Sequence, residues 1–215
     1  MSAPWMPQGT VYGTLLNCQR EHALWAPRMT EAPYKAPPSA PVLYIKTANT
    51  FTAAGHGIAL PAGQPVVVSA TLGLVMGVGG VAGAVLLNDV AIAHDSYYRP
   101  PVKFQCVDGF LGVGPECVPL PHLGGLGGLK ALQLEMLING VHRQTTVLAE
   151  LVRDAAKLLA DVQAFMTLQP GDVLMLGSDC LPDGSRPLVH AGDTVEISAP
   201  GLRPAVHSFT AEVPA

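Results

Sequence analysis

The chain has 215 residues, of which 49% are hydrophobic and only 13% are charged, against roughly 25% charged residues in a typical soluble domain. This hydrophobicity and the small net charge of −4 exclude an intrinsically disordered chain and offer no positive field that would attract nucleic acid. The length fits one domain with a sizeable core.

The start of the chain and its cysteines indicate a reducing compartment. The N-terminus lacks the basic region and apolar stretch of a secretory signal. The spacing of the four cysteines fits neither a disulfide framework nor a zinc site: Cys18, Cys106, Cys117 and Cys180. We therefore predict a cytoplasmic protein with reduced thiols.

The first 40 residues are rich in proline and turns, and we predict that they form an extension or lid ahead of the main domain, residues 41–215. A short helix is expected around residues 19–29. A strand is expected over 41–46, where the sequence is apolar and contains β-branched residues. Together these segments are interpreted as a single domain.

From Thr47 to Asn88 the sequence has 42 consecutive residues without Asp, Glu, Lys or Arg. Residues 66–87 are long enough to cross a bilayer of about 30 Å as a helix. However, this stretch is rich in glycine, which destabilises a helix, and no Lys or Arg flanks it. The aliphatic runs on either side of the glycine-rich segment 77–80 instead predict two buried strands joined by a turn, and no membrane span.

The second half of the chain predicts further strands around one helix. An Asn-Gly turn at 139–140 follows a predicted strand at 132–138, which is a strong signal for a hairpin. Apolar residues recur at helical spacing between Thr145 and Met166, so one long helix is predicted there. Further strands are predicted at 172–176, 194–198 and 205–209. The pattern indicates a β-rich α+β domain.

Spacing alone indicates little chemistry, because the seven histidines are scattered and the sequence has no nucleophile elbow or phosphate-binding loop. The strongest polar cluster follows the end of a buried strand: Asp89, His94, Asp95, Lys103 and Asp108. Polar residues at such a position occur in binding sites, and more often they form structural turns. Both interpretations stay open at this point.

The order of short segments resembles the fumarylacetoacetate hydrolase superfamily over roughly residues 9–210. The segments that carry the resemblance lie at 45–50, 57–61, 72–77, 88–90, 103–110, 112–115, 139–140 with Gln144, 170–172, 176–178 and 192–193. Three more, at 34–38, 69–71 and 98–100, resemble the amino-terminal half, or separate first subunit, of the isomerase/decarboxylases of 4-hydroxyphenylacetate (homoprotocatechuate) degradation. The collinear order carries the resemblance rather than any single motif.

This resemblance implies a fumarylacetoacetate-hydrolase-type mixed β-roll, often dimeric, whose site holds Mg2+ or Mn2+. In such proteins two glutamates of a Glu-x-Glu strand and an aspartate of the next strand hold the metal. Residues i and i+2 lie on one face of a strand, so two carboxylates can chelate one hard cation. The ion stabilises the enolate that forms when a 2-oxo acid loses CO2 or shifts a double bond.

Carried over residue by residue, the resemblance leaves this metal site incomplete. The aspartate corresponds to Asp89, but Ser69 and Thr71 stand at the two glutamate positions. Hydroxyl groups are weak ligands for a hard dication, so metal binding is expected to be weak or absent. The active-site lysines correspond to Lys46, as a substrate contact, and to Lys103, as a catalytic group.

The resemblance also places site residues in the lid and in the later segments. Similar proteins have a lid motif Asn-x-x-x-His-x-x-Glu whose histidine and glutamate transfer protons. Counted from Asn17, Glu21 stands at the histidine position and Leu24 at the glutamate position, while His22 is one residue out of register. Glu21 and His22 are therefore the candidate catalytic groups of the lid. The implied substrate contacts are Asn139, Gln144 and Ser178.

The resemblance and these departures together predict a metal-poor half that pairs with a catalytic homologue and acts on small 2-oxo or 2-hydroxy-diene di- and tricarboxylic acids. The expected assembly is a homodimer or a heterodimer with such a homologue. Two alternatives stay open. One is a self-sufficient hydrolase or decarboxylase that uses Asp89, Lys103 and His22, and the other is a non-catalytic binding or scaffold protein. Neither nucleic acid nor a membrane is expected as a partner.

Overall fold

The computed structural model describes residues 4–94, 96 and 102–212. Within these residues the chain forms fourteen strands, β1 (Val11–Leu15), β2 (Val42–Lys46), β3 (Phe51–Ala53), β4 (Gly57–Leu60), β5 (Val66–Gly77), β6 (Gly80–Ile92), β7 (Leu111–Val113), β8 (Val118–Pro119), β9 (Gln133–Ile138), β10 (Val141–Val147), β11 (Val173–Met175), β12 (Leu188–Val189), β13 (Thr194–Ala199) and β14 (Leu202–Ala211). The α-helices are short: α1 (Gln19–Trp25), α2 (Val102–Gln105), α3 (Gly125–Gly128) and α4 (Ala155–Gln163). Single 3-10 turns lie at Ala26–Thr30, Ala48–Thr50, Leu120–Leu123, Leu129–Ala131 and Leu148–Glu150.

The strands form two sheets that share one core. The larger sheet has nine strands in the order β2-β1-β11-β5-β6-β7-β3, with β12 paired to β5 and β8 paired to β6. The smaller sheet has five strands in the order β10-β9-β13-β14-β4. Most neighbours are antiparallel, whereas β1 with β11, β3 with β7 and β4 with β14 are parallel. The mixed, β-rich α+β fold is therefore confirmed.

The second half of the uncharged stretch, from Val66 on, lies in the long hairpin of β5 and β6 at the centre of the larger sheet. The two strands are paired from Val66 opposite Ile92 to Gly77 opposite Gly80, which leaves a two-residue turn. Nearly every residue of both strands is buried. Strands that are buried on both faces consist of continuous aliphatic runs, which explains the missing charges. In the part of the chain that the structure describes, no helix is long and apolar enough to span a membrane.

The two faces of this hairpin have different surroundings. One face contributes Val68, Leu72 and Leu86 to a core that includes residues of the smaller sheet. Each fully buried side chain of this size stabilises the fold by about 1.5–3 kcal/mol relative to an exposed one. The other face carries a second apolar cluster around Leu87 near the turn. Toward the open end of the hairpin this second face becomes polar, and the candidate site lies there.

The predicted helix at 145–166 is wrong in its length. The segment up to Val147 belongs to β10, residues 148–150 form a 3-10 turn, and α4 has only nine residues. Asp154 caps α4 by accepting a hydrogen bond from the backbone nitrogen of Lys157 at 2.8 Å. The Asn-Gly turn holds β10 in a hairpin with β9. Leu148 and Leu151, which lie between β10 and α4, continue the helical spacing of α4 without being part of the helix.

The first strand brings an aromatic ring to the polar end of the larger sheet. β1 lies between β2 and β11, so part of the first 40 residues belongs to the central sheet. Gly13 on β1 is paired with Tyr44 on β2, and a Cβ at position 13 would lie 2.0 Å from the Tyr44 ring. Only glycine therefore lets the Tyr44 ring lie across β1, which is the position from which its hydroxyl reaches the site.

A histidine lies buried in the protein interior. The His207 ring on β14 packs against Gly112 on β7, where a Cβ would approach the ring to 2.7 Å. Burial lowers the pKa of His207 to about 4, and backbone groups of Thr52 and Val113 offset only part of this effect. The imidazole is therefore neutral in the folded protein at physiological pH.

The buried neutral His207 is expected to make the fold sensitive to acid. Its folded pKa lies below the unfolded value of about 6.5, so the unfolded chain takes up the proton first and stability falls as the pH drops from about 6.5 to about 4. The loss attributable to this group is on the order of 3 kcal/mol. We expect His207→Phe to remove most of this pH dependence, measured by urea denaturation at about pH 7 and about pH 4.5. The exposed His122→Gln control should behave as wild type, and an unchanged pH dependence in His207→Phe would contradict the prediction.

Candidate ligand-binding site

A cavity of about 750 Å³ opens at the polar end of β5 and β6. A space of this size accommodates a small organic ligand. Its floor is formed by largely buried polar side chains: Tyr44, Ser69, Asp89, Ser178 and Arg186. Its rim includes Trp25, Arg28 and Asp183, of which Arg28 and Asp183 are exposed. The lining comes from β1, β2, β5, β6, the segment around α1 and the loop before β12, so the cavity exists only in the folded chain.

Asp89 on β6 lies directly opposite Ser69 on β5. The Tyr44 hydroxyl donates a hydrogen bond to one carboxylate oxygen of Asp89, and the Lys46 ammonium lies 2.8 Å from the other oxygen. Burial raises the pKa of Tyr44 well above its ordinary value, and the Asp89 carboxylate raises it further. The phenol therefore stays protonated and acts as a donor.

Lys46 is almost completely buried and holds several backbone segments together. Its Nζ donates to the carbonyls of Val90 at 2.6 Å, Gln105 at 2.8 Å and Phe110 at 3.0 Å. An ammonium has three hydrogens, so its contact with Asp89 is an ion pair rather than a fourth hydrogen bond. A buried charge is tolerated only when it is paired and hydrogen-bonded in this way. Lys46 thus ties β2 to β6 and α2 and neutralises Asp89.

Arg186 supplies a second fixed positive charge to the floor. Its Nη1 lies 2.9 Å from the Ser69 hydroxyl, 2.8 Å from the Ser178 hydroxyl and 2.9 Å from the Asp179 carbonyl. This nitrogen has two hydrogens, which the three acceptors share. Its Nη2 lies 2.5 Å from the Glu21 carboxylate. The guanidinium therefore joins β5, the loop after β11 and α1 at one point.

Glu21 and Arg20 make the polar contacts that hold α1 beside the cavity. Its second carboxylate oxygen accepts a hydrogen bond from the Leu16 backbone nitrogen at 3.3 Å, and the residue is only 2% exposed. The neighbouring Arg20 lies 3.5 Å from the Asp179 carboxylate and donates to the Cys180 carbonyl at 3.0 Å. The segment expected to form a lid is thus fastened to the floor by charged contacts.

The residues at the implied metal position do not fit Mg2+ or Mn2+. The Ser69 hydroxyl accepts from Arg186, the Thr71 hydroxyl donates to a backbone carbonyl at 2.8 Å, and the Asp89 carboxylate is paired with Lys46. Hard dications prefer several carboxylate or carbonyl oxygens, and a guanidinium at the same place repels them. Among residues 4–94, 96 and 102–212 no group of three His, Cys, Asp or Glu side chains converges as a metal site.

Lys103 and His22 lie away from the described lining of the cavity, whereas Glu21 contacts that lining through Arg186. Lys103 is exposed on α2, with its Nζ 5.9 Å from the centre of the Phe104 ring. His22 is partly buried on α1. Neither is among the described residues that line the cavity. Their catalytic roles remain predictions without a geometric link to Asp89.

The predicted substrate contacts are divided between the cavity and the rest of the fold. Ser178 lines the floor, and the buried Gln144 lies behind it, donating to the Asp179 carbonyl at 2.5 Å. Asn139 lies in the hairpin turn of the smaller sheet, where its amide donates to Asp193 at 2.7 Å.

The polar cluster of the sequence is also divided. His94 lines the cavity, whereas Asp108 accepts a hydrogen bond from Asn49 at 2.6 Å in an exposed loop. Asp95 and the segment 98–100 lie outside the described residues.

Two thiols near the floor are poor nucleophiles. Burial raises the pKa of Cys180 to about 11, and the nearby Glu21 and Asp179 carboxylates add to the effect. The pKa of Cys18 is raised even further, again mainly by burial. Both sulfurs stay protonated near neutral pH, so thiolate chemistry is not available here.

Sequence reasoning missed three residues that line the cavity: Tyr44, Arg28 and Arg186. Tyr44 and Lys46 are two positions apart on β2, and this spacing could have suggested that both face Asp89. Arg186 belongs to a turn-rich segment, and no spacing rule connects it to Ser69, 117 positions earlier. Arg28 follows α1 and has no motif of its own. The last two are visible only once the chain is folded.

The sequence matches known proteins over almost its whole length. The pattern of the fumarylacetoacetate (FAA) hydrolase C-terminal family matches residues 10–210. Over 208 residues the chain is 34% identical to the 4-hydroxyphenylacetate degradation bifunctional isomerase/decarboxylase of Escherichia coli, and the match covers 92% of this chain and 46% of that protein. The chain thus spans about half the length of the curated relatives it matches.

Solved structures share the fold. The 5-carboxymethyl-2-hydroxymuconate delta-isomerase of Mycobacterium smegmatis superposes with a TM-score of 0.75 at 23% identity, covering 95% of this chain and 80% of that one. The maleylpyruvate hydrolase of Sphingobium sp. SYK-6, solved with manganese(II) and pyruvate, superposes with a TM-score of 0.74 at 20% identity, covering 98% and 72%. At these identities the likeness concerns the fold.

Proposed function

Since the chain belongs to the fumarylacetoacetate hydrolase family, we propose that it is the metal-poor half of an isomerase/decarboxylase and acts with a homologous half that carries the metal and the catalytic groups. The proposed substrates are small 2-oxo or 2-hydroxy-diene di- and tricarboxylic acids of 4-hydroxyphenylacetate catabolism. The match to only 46% of the Escherichia coli relative supports a two-half arrangement, because a protein of that length has room for a second half.

The contacts of Arg186 carry this proposal. The guanidinium lies 2.9 Å from Ser69, one of the two positions where a metal-binding homologue has glutamate, and 2.5 Å from Glu21 at the histidine position of the lid motif. Lys46 in turn pairs with Asp89, the one carboxylate that corresponds to a family ligand. Two protein cations thus balance the charges of a site that in similar proteins is built around a metal ion.

Calorimetric titration of the isolated chain with Mn2+ tests the metal-poor assignment. We expect a dissociation constant weaker than about 1 mM, since one neutralised carboxylate supplies too few ligands. A homologous half with the complete Glu-x-Glu and Asp set is the positive control. Micromolar Mn2+ binding by this chain alone would refute the assignment.

Co-expression tests the pairing. This chain and a homologous chain with the complete carboxylate set should purify together, and the pair should decarboxylate or isomerise the acid substrates. Removing this chain should reduce that activity. Full activity of the homologue without this chain, together with no co-purification, would contradict the pairing.

The intact cavity favours a second candidate, a hydrolase or decarboxylase that is active without a partner. Its floor keeps a protonated Tyr44 hydrogen-bonded to Asp89, which is a pair suited to hold a proton beside a substrate. Turnover by this chain alone in EDTA, abolished by Asp89→Asn, would favour this candidate. Ligand binding without turnover in either assay would leave a binding or scaffold protein.

A further inference from the structure

We infer that the cavity floor is a metal-independent oxyanion site in which the Ser69 and Ser178 hydroxyls bind the carboxylate of a small organic acid. The inference deepens the proposed function and rests on it only for taking this cavity as the ligand site. Four features of the cavity support it: the hydroxyl hydrogens, the charge balance of the floor, an arginine at the rim and the size of the space.

The two serine hydroxyls are held side by side by one nitrogen. Nη1 of Arg186 donates to Ser69 at 2.9 Å and to Ser178 at 2.8 Å. A hydroxyl that accepts a hydrogen bond keeps its own hydrogen to donate. Among the described residues neither hydroxyl donates to another partner, although Ser69 is 3% and Ser178 8% exposed. Two donors that are polarised by a guanidinium therefore face the cavity and lack an acceptor.

The charged groups of the floor are balanced, so an entering anion does not meet an uncompensated carboxylate. Lys46 lies 2.8 Å from Asp89, and the Tyr44 hydroxyl donates to the same carboxylate. Arg186 and Glu21 form the second pair at 2.5 Å. The serine hydroxyls are thus the donors that this neutral floor offers to a ligand oxygen, and a charged acceptor gives the strongest hydrogen bonds.

The rim supplies a positive charge that a carboxylate can approach. The Arg28 guanidinium lies 5.2 Å from the centre of the Trp25 ring, which orients it. None of the described acidic side chains forms an ion pair with Arg28. Asp183 is also on the rim, and its turn contacts with Ser185 lower its pKa, so it stays negative. A space of about 750 Å³ between rim and floor suits an acid with two carboxylates.

Calorimetry in EDTA with 2-oxoglutarate as the probe tests the site on the isolated chain. We expect submillimolar binding, and binding at least about tenfold weaker for the uncharged dimethyl ester, because it loses the charge-assisted hydrogen bonds. The double variant Ser69→Ala/Ser178→Ala should bind the dianion about tenfold or more weakly. Ser208→Ala, an exposed serine of β14, is the matched control and should bind as wild type.

Substitutions of exposed rim residues test the site even if the buried serine variants fail to fold. Arg28 is exposed, so Arg28→Gln should fold normally and weaken binding several-fold, whereas the remote, exposed Arg143→Gln should not. Asp183→Asn should bind the dianion more tightly. Thermal melting checks that each variant is folded.

Three outcomes overturn the inference: no binding of 2-oxoglutarate at about 10 mM, equal binding by the wild type and the double serine and Arg28 variants, or binding that requires Mn2+. The first two leave the proposed function standing, because co-purification and Mn2+ titration test it separately. Micromolar Mn2+ affinity would refute the metal-poor half even if the anion bound as expected in EDTA.

Discussion

Replacing Arg186 with methionine is expected to lower the free energy of unfolding by about 3–5 kcal/mol, because removing one partner leaves a buried charge without its ion pair. Glu21 is only 2% exposed, and the contact of its carboxylate with Nη2 at 2.5 Å is lost in the variant. The hydroxyls of Ser69 and Ser178 lose the nitrogen that holds them together. Urea denaturation followed by circular dichroism measures the change.

A double-mutant cycle separates the ion pair from the other contacts of Arg186. Glu21→Gln removes the charge while keeping the size of the side chain, so Arg186→Met should cost less in the Glu21→Gln background than in the wild type. Amide exchange of α1 should become faster in Arg186→Met, since this contact fastens α1 to the floor. A loss below about 1 kcal/mol, with equal costs in both backgrounds, would show that the pair is worth no more than an exposed salt bridge.

The strands could be predicted from the sequence because they follow local patterns, whereas the residues of the candidate site came from the family resemblance. Aliphatic runs on either side of a glycine-rich turn determine the β5–β6 hairpin, and its two-residue turn places Ser69 opposite Asp89. The collinear resemblance identified Asp89, Lys46 and Ser178, which the structure brings to one cavity or directly behind it. These residues lie on strands or shortly after one, so a collinear comparison of short segments can locate them.

The rest of the site depends on contacts between distant segments. Arg186 joins Glu21 across 165 positions and Ser69 across 117, and neither separation corresponds to a helical or strand period. The overlong predicted helix has the opposite origin, since the helical spacing of α4 continues by chance into the 3-10 turn and connector that precede it. Local spacing therefore predicts helices and strands, whereas the position of Arg186 in the cavity floor can be seen only in the tertiary structure.

Under the proposed function, the uncharged stretch from Thr47 to Asn88 has two separate causes. Part of it is uncharged because β5 and β6 are buried on both faces. Ser69 and Thr71 are a different case, since the family resemblance implies glutamates at these two buried positions. Two glutamates there without a metal would need cations, and the floor has Arg186 beside a serine instead. Arg186 pairs with Glu21 and Lys46 with Asp89, so the floor stays balanced without a carboxylate at position 69 or 71.

Lys46→Met is expected to destabilise the fold by about 3–5 kcal/mol as well, because Lys46 is 1% exposed and serves three carbonyls and one carboxylate. The variant leaves the three carbonyls without this donor and removes the cation that neutralises Asp89. The exposed Lys157→Met is the matched control, and its helix-surface pair with Asp161 is worth less than about 1 kcal/mol. Adding Asp89→Asn should recover part of the Lys46→Met loss in urea denaturation, since it removes the unpaired charge and keeps the shape. If Asp89→Asn instead deepens the loss, the lysine acts through the backbone carbonyls alone, and the neutral floor on which oxyanion binding depends has another source.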